Sequence, residues 1–129
     1  MFWLAFDQKH NVLLAHFNSM LVAEDIRDLD EAVRRFVRDH GYVRGLLDFT
    51  DVSMIAIPQS LLVSRSRLPL ISPGGERVFV TPRQDMLDLA LRYAEQQRDF
   101  GNAPPAVVRT LAEAYEILGI DKPSFIAVR

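Results

Sequence analysis

Cysteine is missing from this sequence, so disulfide bonds, thiolate nucleophiles and cysteine-ligated metals are excluded. Lysine is scarce as well, because Lys9 and Lys122 are the only lysines among 15 basic residues. That leaves few candidates for a Schiff base or for the lysine of a phosphate-binding loop. No apolar run approaches the roughly 20 residues of a membrane-spanning helix. A chain without cysteine suits a reducing compartment, and we predict a cytoplasmic location.

The remaining composition is that of a folded globular protein. The 129 residues are 49% hydrophobic and 25% charged, which is typical of a domain that buries a core, and we assign residues 1–129 to one domain. The net charge of −2 offers no attraction to phosphate backbones, so we predict no nucleic-acid partner. The apolar start, residues 1–6, meets Asp7 too soon for a signal peptide and is predicted to be a strand.

The pattern of hydrophobic residues predicts an α/β fold with the element order β-β-α-β-α-β-α-β-α. The predicted strands cover residues 2–6, 12–17, 43–49, 77–80 and 106–108, and the predicted helices cover 24–40, 59 to about 68, 82 to about 98 and 111–118. The first two strands form an antiparallel hairpin with Asn11 near its turn. The last three strands each follow a helix, which favours parallel pairing. We therefore expect a mixed, mainly parallel sheet packed with about four helices.

Capping signals mark two of these helices. Thr81 with Gln84, and Thr110 with Glu113, have the spacing of an N-cap residue and its partner at the third helical position. Gly119 is suited to end the last helix, because glycine readily adopts the left-handed conformation there. The apolar tail that follows, residues 123–128, is predicted to dock, either as an added edge strand or as a contact with a partner.

The charged residues of the helices allow simple predictions. Asp30 with Arg34, and Glu31 with Arg35, are four residues apart in the favourable order for ion pairs along the first long helix. Residues 64–67 alternate serine and arginine. They form either a solvated helix end or a basic patch for an anion or an acidic partner.

Small polar residues follow the central strand. Asp48, Thr50, Asp51 and Ser53 lie at its carboxyl end, where open α/β sheets bind ligands. The functional interpretation is a polar ligand site, and the alternative is capping and turn chemistry. Asp48 and Asp51 are predicted on opposite faces if the strand continues, which argues against a paired-carboxylate site.

The next residues are unusually apolar for a loop. Residues 53–57 are predicted to form a crossing loop, yet Ile55 and Ile57 within it either cap the core or form an exposed patch for a partner or an apolar ligand. The candidate binding residues are Asp48, Thr50, Asp51, Ser53, Ile55, Ile57 and Ser60. No two of the three histidines have metal-ligand spacing, and no nucleotide-binding motif is present, so no metal, cofactor or catalytic residue is predicted.

Three stretches carry a family resemblance. They are residues 46–53 (LLDFTDVS), 78–82 (VFVTP) and 109–119 (RTLAEAYEILG). Together with the opening hairpin and the long helix after it, they resemble the STAS domain, and more closely its SpoIIAA-like branch. The resemblance covers nearly the whole chain, and it implies a fold and a surface used for partners or small ligands.

One departure from the family bears on mechanism. Classical anti-sigma-factor antagonists carry Asp-Ser-Ser-Gly at the start of the helix after the central strand, and a serine there is phosphorylated. This sequence has residues 56–59 (AIPQ) in that place, and Ser53 and Ser60 flank the position without matching it. A phosphate acts by adding nearly two negative charges, so the usual phosphoserine switch is predicted to be absent.

Three functions follow as hypotheses. The first is a non-enzymatic regulatory or binding module that acts by protein contact or small-ligand binding at residues 50–60. The second is a carrier of an apolar small molecule or lipid, because SpoIIAA-like domains resemble lipid-binding CRAL-TRIO modules. Ile55, Ile57, Leu61 and residues 68–71 would then line a pocket. The third is an uncharacterised enzyme. A homodimer is expected, because the apolar tail and first strand need cover, and contact with a membrane surface is compatible with the sequence.

Overall fold

A computed structural model describes residues 1–72 and 75–128. Six strands form one sheet in the order β5-β4-β3-β2-β1-β6. The strands are β1 (Phe2–Asp7), β2 (Val12–Val22), β3 (Arg44–Ala56), β4 (Arg77–Val80), β5 (Ala106–Val108) and β6 (Ile126–Ala127). The helices are α1 (Ala23–His40), α2 (Gln59–Ser66), α3 (Gln84–Asp99) and α4 (Leu111–Leu118). The predicted α/β class with a mixed sheet and four helices is confirmed.

Strand directions follow the predicted pattern. Strands β2, β3, β4 and β5 are parallel neighbours, and β1 runs antiparallel to β2. The chain between successive parallel strands is helical, as crossover connections require. The predicted element order lacks one strand, because β6 in the tail pairs antiparallel with β1. A backbone hydrogen bond of 2.9 Å from Val128 N to Leu4 O holds it there. Two residues are too few to show a strand period, so the sequence left this position open.

The central strand is longer than predicted. Strand β3 continues through residues 53–56, where a crossing loop was expected, and β2 extends with it to Val22. The two strands pair along their whole length, with register shifts between His16 and Asn18 and between Ser19 and Met20. Each shift places one extra residue on β3, as in a β-bulge. Each of the two strands supplies hydrogen-bond partners for the backbone of the other. Polar residues such as Asn18 and Asp51 are therefore part of extended strands here.

Helices α1, α2 and α3 cover one face of the sheet. Helix α1 buries Leu29 and Phe36 and ends at Gly41 with a φ of +87°. The underlying core contains a row of aromatic rings from neighbouring strands, with Phe17 stacked on Phe49 at 4.8 Å and Phe79 edge-on to Phe49 at 5.9 Å. Aromatic burial of this kind is a large part of core stabilisation.

Helix α4 covers the opposite face. It buries Ala114 and Leu118 against a second apolar cluster of the sheet. The predicted capping box is confirmed, since Thr110 Oγ1 accepts a hydrogen bond from Glu113 N at 3.2 Å and donates one to Glu113 Oε1 at 2.9 Å. Gly119 ends the helix in the left-handed conformation, as predicted. With only eight residues, α4 leaves the far ends of β2 and β3 uncovered.

The predicted start of α3 is wrong. Thr81 was expected as its N-cap, but the helix begins at Gln84 after Arg83. Thr81 is fully buried, and its backbone N–H donates to Val108 O at 2.8 Å. It therefore continues the pairing of β4 with β5, which takes precedence over capping. Among residues 1–72 and 75–128, no helix combines the length and apolarity needed to cross a membrane.

Candidate functional site

A cavity of about 150 Å³ lies between the sheet and helices α1, α2 and α3. Its volume is similar to that of an engineered protein cavity that binds benzene. Apolar side chains form most of its wall: Leu13, Ala15, Leu21, Leu47, Phe49 and Phe79 from the sheet, Ile26, Leu29, Val33, Leu62, Met86, Leu89 and Ala90 from the helices, and Val43, Ile57 and Ile71 from the connections. The interior therefore has room for one small apolar molecule.

The predicted pocket residues divide here. Ile57 lines the cavity, as does Ile71 from the predicted stretch 68–71. Ile55 packs against the same core cluster without lining the cavity, and Leu61 is half-buried and also outside the lining. On α2 the wall is instead formed by Leu62 and Arg65, which are three residues apart and so share one helix face.

An ion pair stands in this wall. Asp30 of α1 forms an ion pair with Arg65 of α2, with 2.7 Å between Oδ2 and Nε, and the two side chains are only 17% and 13% exposed. The predicted pairing of Asp30 with Arg34 is therefore wrong, because Asp30 faces the interior. The neighbouring prediction is confirmed, since Arg35 Nη2 lies 3.2 Å from Glu31 Oε1 on the exposed side of the helix.

Arg65 is not fully satisfied by this partner. Its Nη1 atom is buried and has no hydrogen-bond partner among the described residues. A buried guanidinium nitrogen without an acceptor is costly, because it has lost its hydration. Residues 64–67 were expected to form a solvated helix end or a basic patch. One of their two arginines, Arg65, instead points into the cavity.

A second arginine lines the same cavity. Arg77 Nη2 donates to Gln97 Oε1 at 3.0 Å and to Ala103 O at 2.6 Å. Burial lowers the pKa of Arg77, and the positive charge of Arg65 lowers it further. Burial raises the pKa of the neighbouring Tyr93. An arginine stays protonated in a protein, so the cavity wall holds two guanidinium groups and a neutral phenol.

The connection after α2 is tied to the scaffold. Asn102 Nδ2 donates to Ser66 O at 2.9 Å and to Leu68 O at 3.0 Å. Ser72 Oγ accepts from Val43 N and donates to Val43 O, each at 2.9 Å. These side-chain hydrogen bonds hold both ends of residues 66–72 in place. The same segment forms part of the cavity wall.

A polar cluster lies on the opposite face of the sheet, beyond the end of α4. His16 Nδ1 is 3.0 Å from Asp48 Oδ2, and His16 Nε2 is 2.8 Å from Asp51 Oδ2. Carboxylates only accept, so His16 donates to both when both ring nitrogens carry protons. Asp48 also accepts from Thr50 N at 2.9 Å, and the ring of Trp3 stacks on His16 at 4.9 Å.

The register shift explains why both aspartates reach one histidine. Simple alternation predicts Asp48 and Asp51 on opposite faces, but three residues of β3 span two of β2 here. The extra residue rotates Asp51 back to the side of Asp48, so that prediction is wrong. The cluster's polar groups bind one another. In residues 1–72 and 75–128, no three histidine, aspartate or glutamate side chains form a group that could hold a metal.

The other predicted binding residues lie along the β3 extension and α2. Thr50 is half-buried, and Ser53 and Ser60 are exposed. The carbonyl oxygen of Ser53 accepts from Arg83 Nη1. The structure thus places the seven candidates at separate locations: Asp48 and Asp51 lie around His16, Ile57 lines the cavity, Ile55 packs against the core, and Thr50, Ser53 and Ser60 lie on β3 and α2.

Sequence reasoning missed the residues that join these sites. His16 was considered only for metal spacing, and its place opposite Asp48 depends on strand register. Arg65 was treated as part of a solvated helix end or a basic patch, and Arg77 was not singled out. A signal for Arg65 was present, since it lies three residues after Leu62 and so on the apolar face of α2.

Comparison with models of known protein families gives no match for this chain. A search of curated proteins likewise finds no similar sequence. The resemblance to SpoIIAA-like domains therefore depends on the motifs and element order of this chain.

Proposed function

We propose that this protein is a non-enzymatic binding module of the STAS/SpoIIAA-like type that holds a small apolar molecule in the cavity beneath α1, α2 and α3. The observation that carries the proposal is the cavity of about 150 Å³ with a mainly apolar wall. A bound apolar molecule would remove this wall from water, which contributes about 25 cal/mol per Å² of apolar surface buried.

This proposal favours the carrier hypothesis over a ligand site at residues 50–60. Among the polar candidates of that stretch, Asp51 lies beside His16 and Ser53 and Ser60 are exposed, whereas Ile57 contributes to a mainly apolar wall. Ligand sites are mostly apolar concavities with a few placed polar groups. The cavity has this composition, and the edge does not.

The test is an NMR titration of the whole chain with benzene. We expect chemical-shift changes at Ala15 and Ala90, which line the cavity. Leu62→Trp, which fills the wall, should abolish them, while Leu61→Trp, a half-buried neighbour outside the lining, should preserve them. Absence of shifts in the parent protein, or equal binding by both variants, would contradict the proposal. Native mass spectrometry of protein purified from a bacterial host would then identify a co-purified molecule.

A second candidate function is protein contact through the β2–β3 extension. Met20 and Met54 are cross-strand neighbours there and are 43% and 54% exposed. Exposed, adaptable apolar side chains are typical of partner surfaces. If two copies associate through this surface, Met54→Glu should shift the protein to monomer in analytical ultracentrifugation, whereas Ile126→Glu on β6 should not. Equal behaviour of the two variants would argue against this surface.

Four further expectations from the sequence remain predictions. A homodimer is still expected, although the tail that suggested it pairs with β1 of its own chain. A cytoplasmic location, the lack of a nucleic-acid partner and possible peripheral contact with a membrane stay predictions as well.

A further inference from the structure

We infer that the molecule held in the cavity is a small monocarboxylate with a compact apolar body, and that its carboxylate binds Arg65. The inference rests on the proposed function, because it names the chemistry of the molecule in that same cavity. Four features of the wall carry it: an excess of positive charge, a donor without a partner, two arginines close enough to influence each other, and a limited volume.

The charge excess comes from three side chains. Asp30 carries one negative charge, Arg65 and Arg77 carry one positive charge each, and Tyr93 is neutral, so the wall has one uncompensated positive charge. Asp30 pairs with Arg65. Arg77 has only neutral acceptors, Gln97 and Ala103, within the described part of the chain. Arg77 is half-buried, so its charge is only partly hydrated and favours an anion in the cavity.

The donor without a partner among the described residues is Nη1 of Arg65. It indicates where in the cavity an anion would bind. The Nε atom of Arg65 lies 2.7 Å from Asp30 Oδ2, while its Nη1 is buried without an acceptor among the described residues. The guanidinium fork matches carboxylate oxygens in geometry and charge. An anion at this atom would satisfy the donor and neutralise the excess in one contact.

The two arginines also influence each other. Arg65 and Arg77 both line the cavity, and the charge of Arg65 acts to lower the pKa of Arg77. Like charges at the wall of one apolar cavity repel, because the surroundings screen them poorly. A negative charge in the cavity relieves this repulsion, whereas a neutral molecule does not.

Size and valence select among anions. A volume of about 150 Å³ accommodates a body close to benzene in size, which excludes a long acyl chain from the interior. One excess positive charge matches a carboxylate, while a phosphate monoester brings nearly two negative charges. The class is therefore aryl or short branched monocarboxylates.

The experiment compares benzoate, benzamide and benzene by NMR titration at low salt. Benzoate and benzamide have nearly the same shape and differ in charge. We expect the parent protein to bind benzoate about 10- to 100-fold more tightly than benzamide, the range that a hydrogen bond to a charged group supplies. Benzene reports the apolar cavity alone.

Two variants separate the donors from general electrostatics. Asp30→Asn with Arg65→Gln removes the ion pair together, so the net charge of the wall stays at one positive charge and no single buried charge is left behind. The benzoate preference should fall about tenfold in this variant. Arg67→Gln removes one exposed charge of the same segment, whose guanidinium lies over Phe100 at 4.8 Å, and the preference should persist.

The outcomes distinguish the two proposals. If benzene binds but benzoate has no advantage over benzamide, or if the double variant keeps that advantage, the monocarboxylate inference is wrong and the apolar cavity function stands. If none of the three molecules binds the folded parent protein, both proposals fail. A benzoate preference lost equally in Arg67→Gln would indicate surface attraction and would also overturn the inference.

Discussion

The two faces of the sheet differ in how their polar side chains are paired. On the α4 face, Asp48 and Asp51 converge on His16, and the histidine ring nitrogens bond to their carboxylates. On the face covered by α1–α3, Asp30 pairs with only part of Arg65, and one buried nitrogen has no partner in residues 1–72 and 75–128. The polar residues that look most like a site contact one another, whereas the apolar face holds a donor without a partner among the described residues.

This contrast shows where a ligand contributes most. A satisfied cluster gains little from an added partner, because each new bond replaces an existing one. An apolar cavity with an uncompensated cation gains both burial and charge neutralisation. Variants that remove one group at a time on each face test this difference directly.

Asp30→Asn should have the largest effect on stability. The change leaves the poorly exposed Arg65 without its carboxylate, and we expect the free energy of unfolding to fall by about 3 kcal/mol. Urea denaturation measures the loss. Glu31→Gln, in the exposed pair on the same helix, is the control and should change stability by less than about 0.5 kcal/mol. If the two variants lost the same free energy of unfolding, the Asp30–Arg65 pair would contribute no more to stability than the exposed Glu31–Arg35 pair.

Asp48→Ala should have the next largest effect. Asp48 is buried, accepts from Thr50 N and lies 3.0 Å from His16 Nδ1, so its removal leaves the Thr50 N–H and the His16 ring without this partner and should cost about 2 kcal/mol. Asp51→Ala removes an exposed partner of the same ring and should cost less than about 1 kcal/mol. Thermal and urea denaturation of both variants provide the comparison, and a larger loss for Asp51→Ala would contradict it.

Asp7→Asn should have the smallest effect and a distinct pH dependence. Burial acts to raise the pKa of Asp7, but hydrogen bonds from His10 and from Ser124 N hold that pKa below its ordinary value. A carboxyl with a lowered pKa in the folded state stabilises above its unfolded pKa, about 3.9, and this contribution is lost as pH falls through the folded value.

The expected result is a loss of about 1 kcal/mol at pH 7 for Asp7→Asn. The difference from the parent protein should shrink as the pH falls below about 4. Denaturation curves from pH 3 to 7 measure it. Asp121→Asn is the control, because Asp121 is exposed in the C-terminal tail that Asp7 contacts through Ser124. Its free energy of unfolding should stay within about 0.5 kcal/mol of that of the parent protein. A difference that does not depend on pH would show that Asp7 acts by shape alone.

Much of the fold could be predicted, because hydrophobic periodicity reports which face of an element is buried. The helix over residues 24–40, the short buried strands and the Thr110 capping box all carry such local signals, and the structure confirms them. The end of β3 could not be predicted. Residues 53–56 have neither an alternating pattern nor a turn signal, and they are extended because β2 pairs with them.

The candidate site was less predictable than the fold. Ile57 was identified because an apolar residue in an expected loop is unusual, and it lines the cavity. Arg65 and His16 were missed, because an arginine in a polar run and a lone histidine in a strand are ordinary features. Their roles depend on residues more than 30 positions away along the chain, namely Asp30 for Arg65 and Asp48 for His16.

The sequence by itself determined the α/β class, the opening hairpin, the helix faces and the missing cysteine chemistry, since each depends on composition or on residues a few positions apart. Only the tertiary structure decided that the tail closes the β1 edge, that one bulge brings Asp48 and Asp51 to the same histidine, and that α2 turns Arg65 into the cavity beside Asp30. Those outcomes depend on strand register and on the position of one helix over another. Both are fixed by contacts between distant segments, which no local pattern contains.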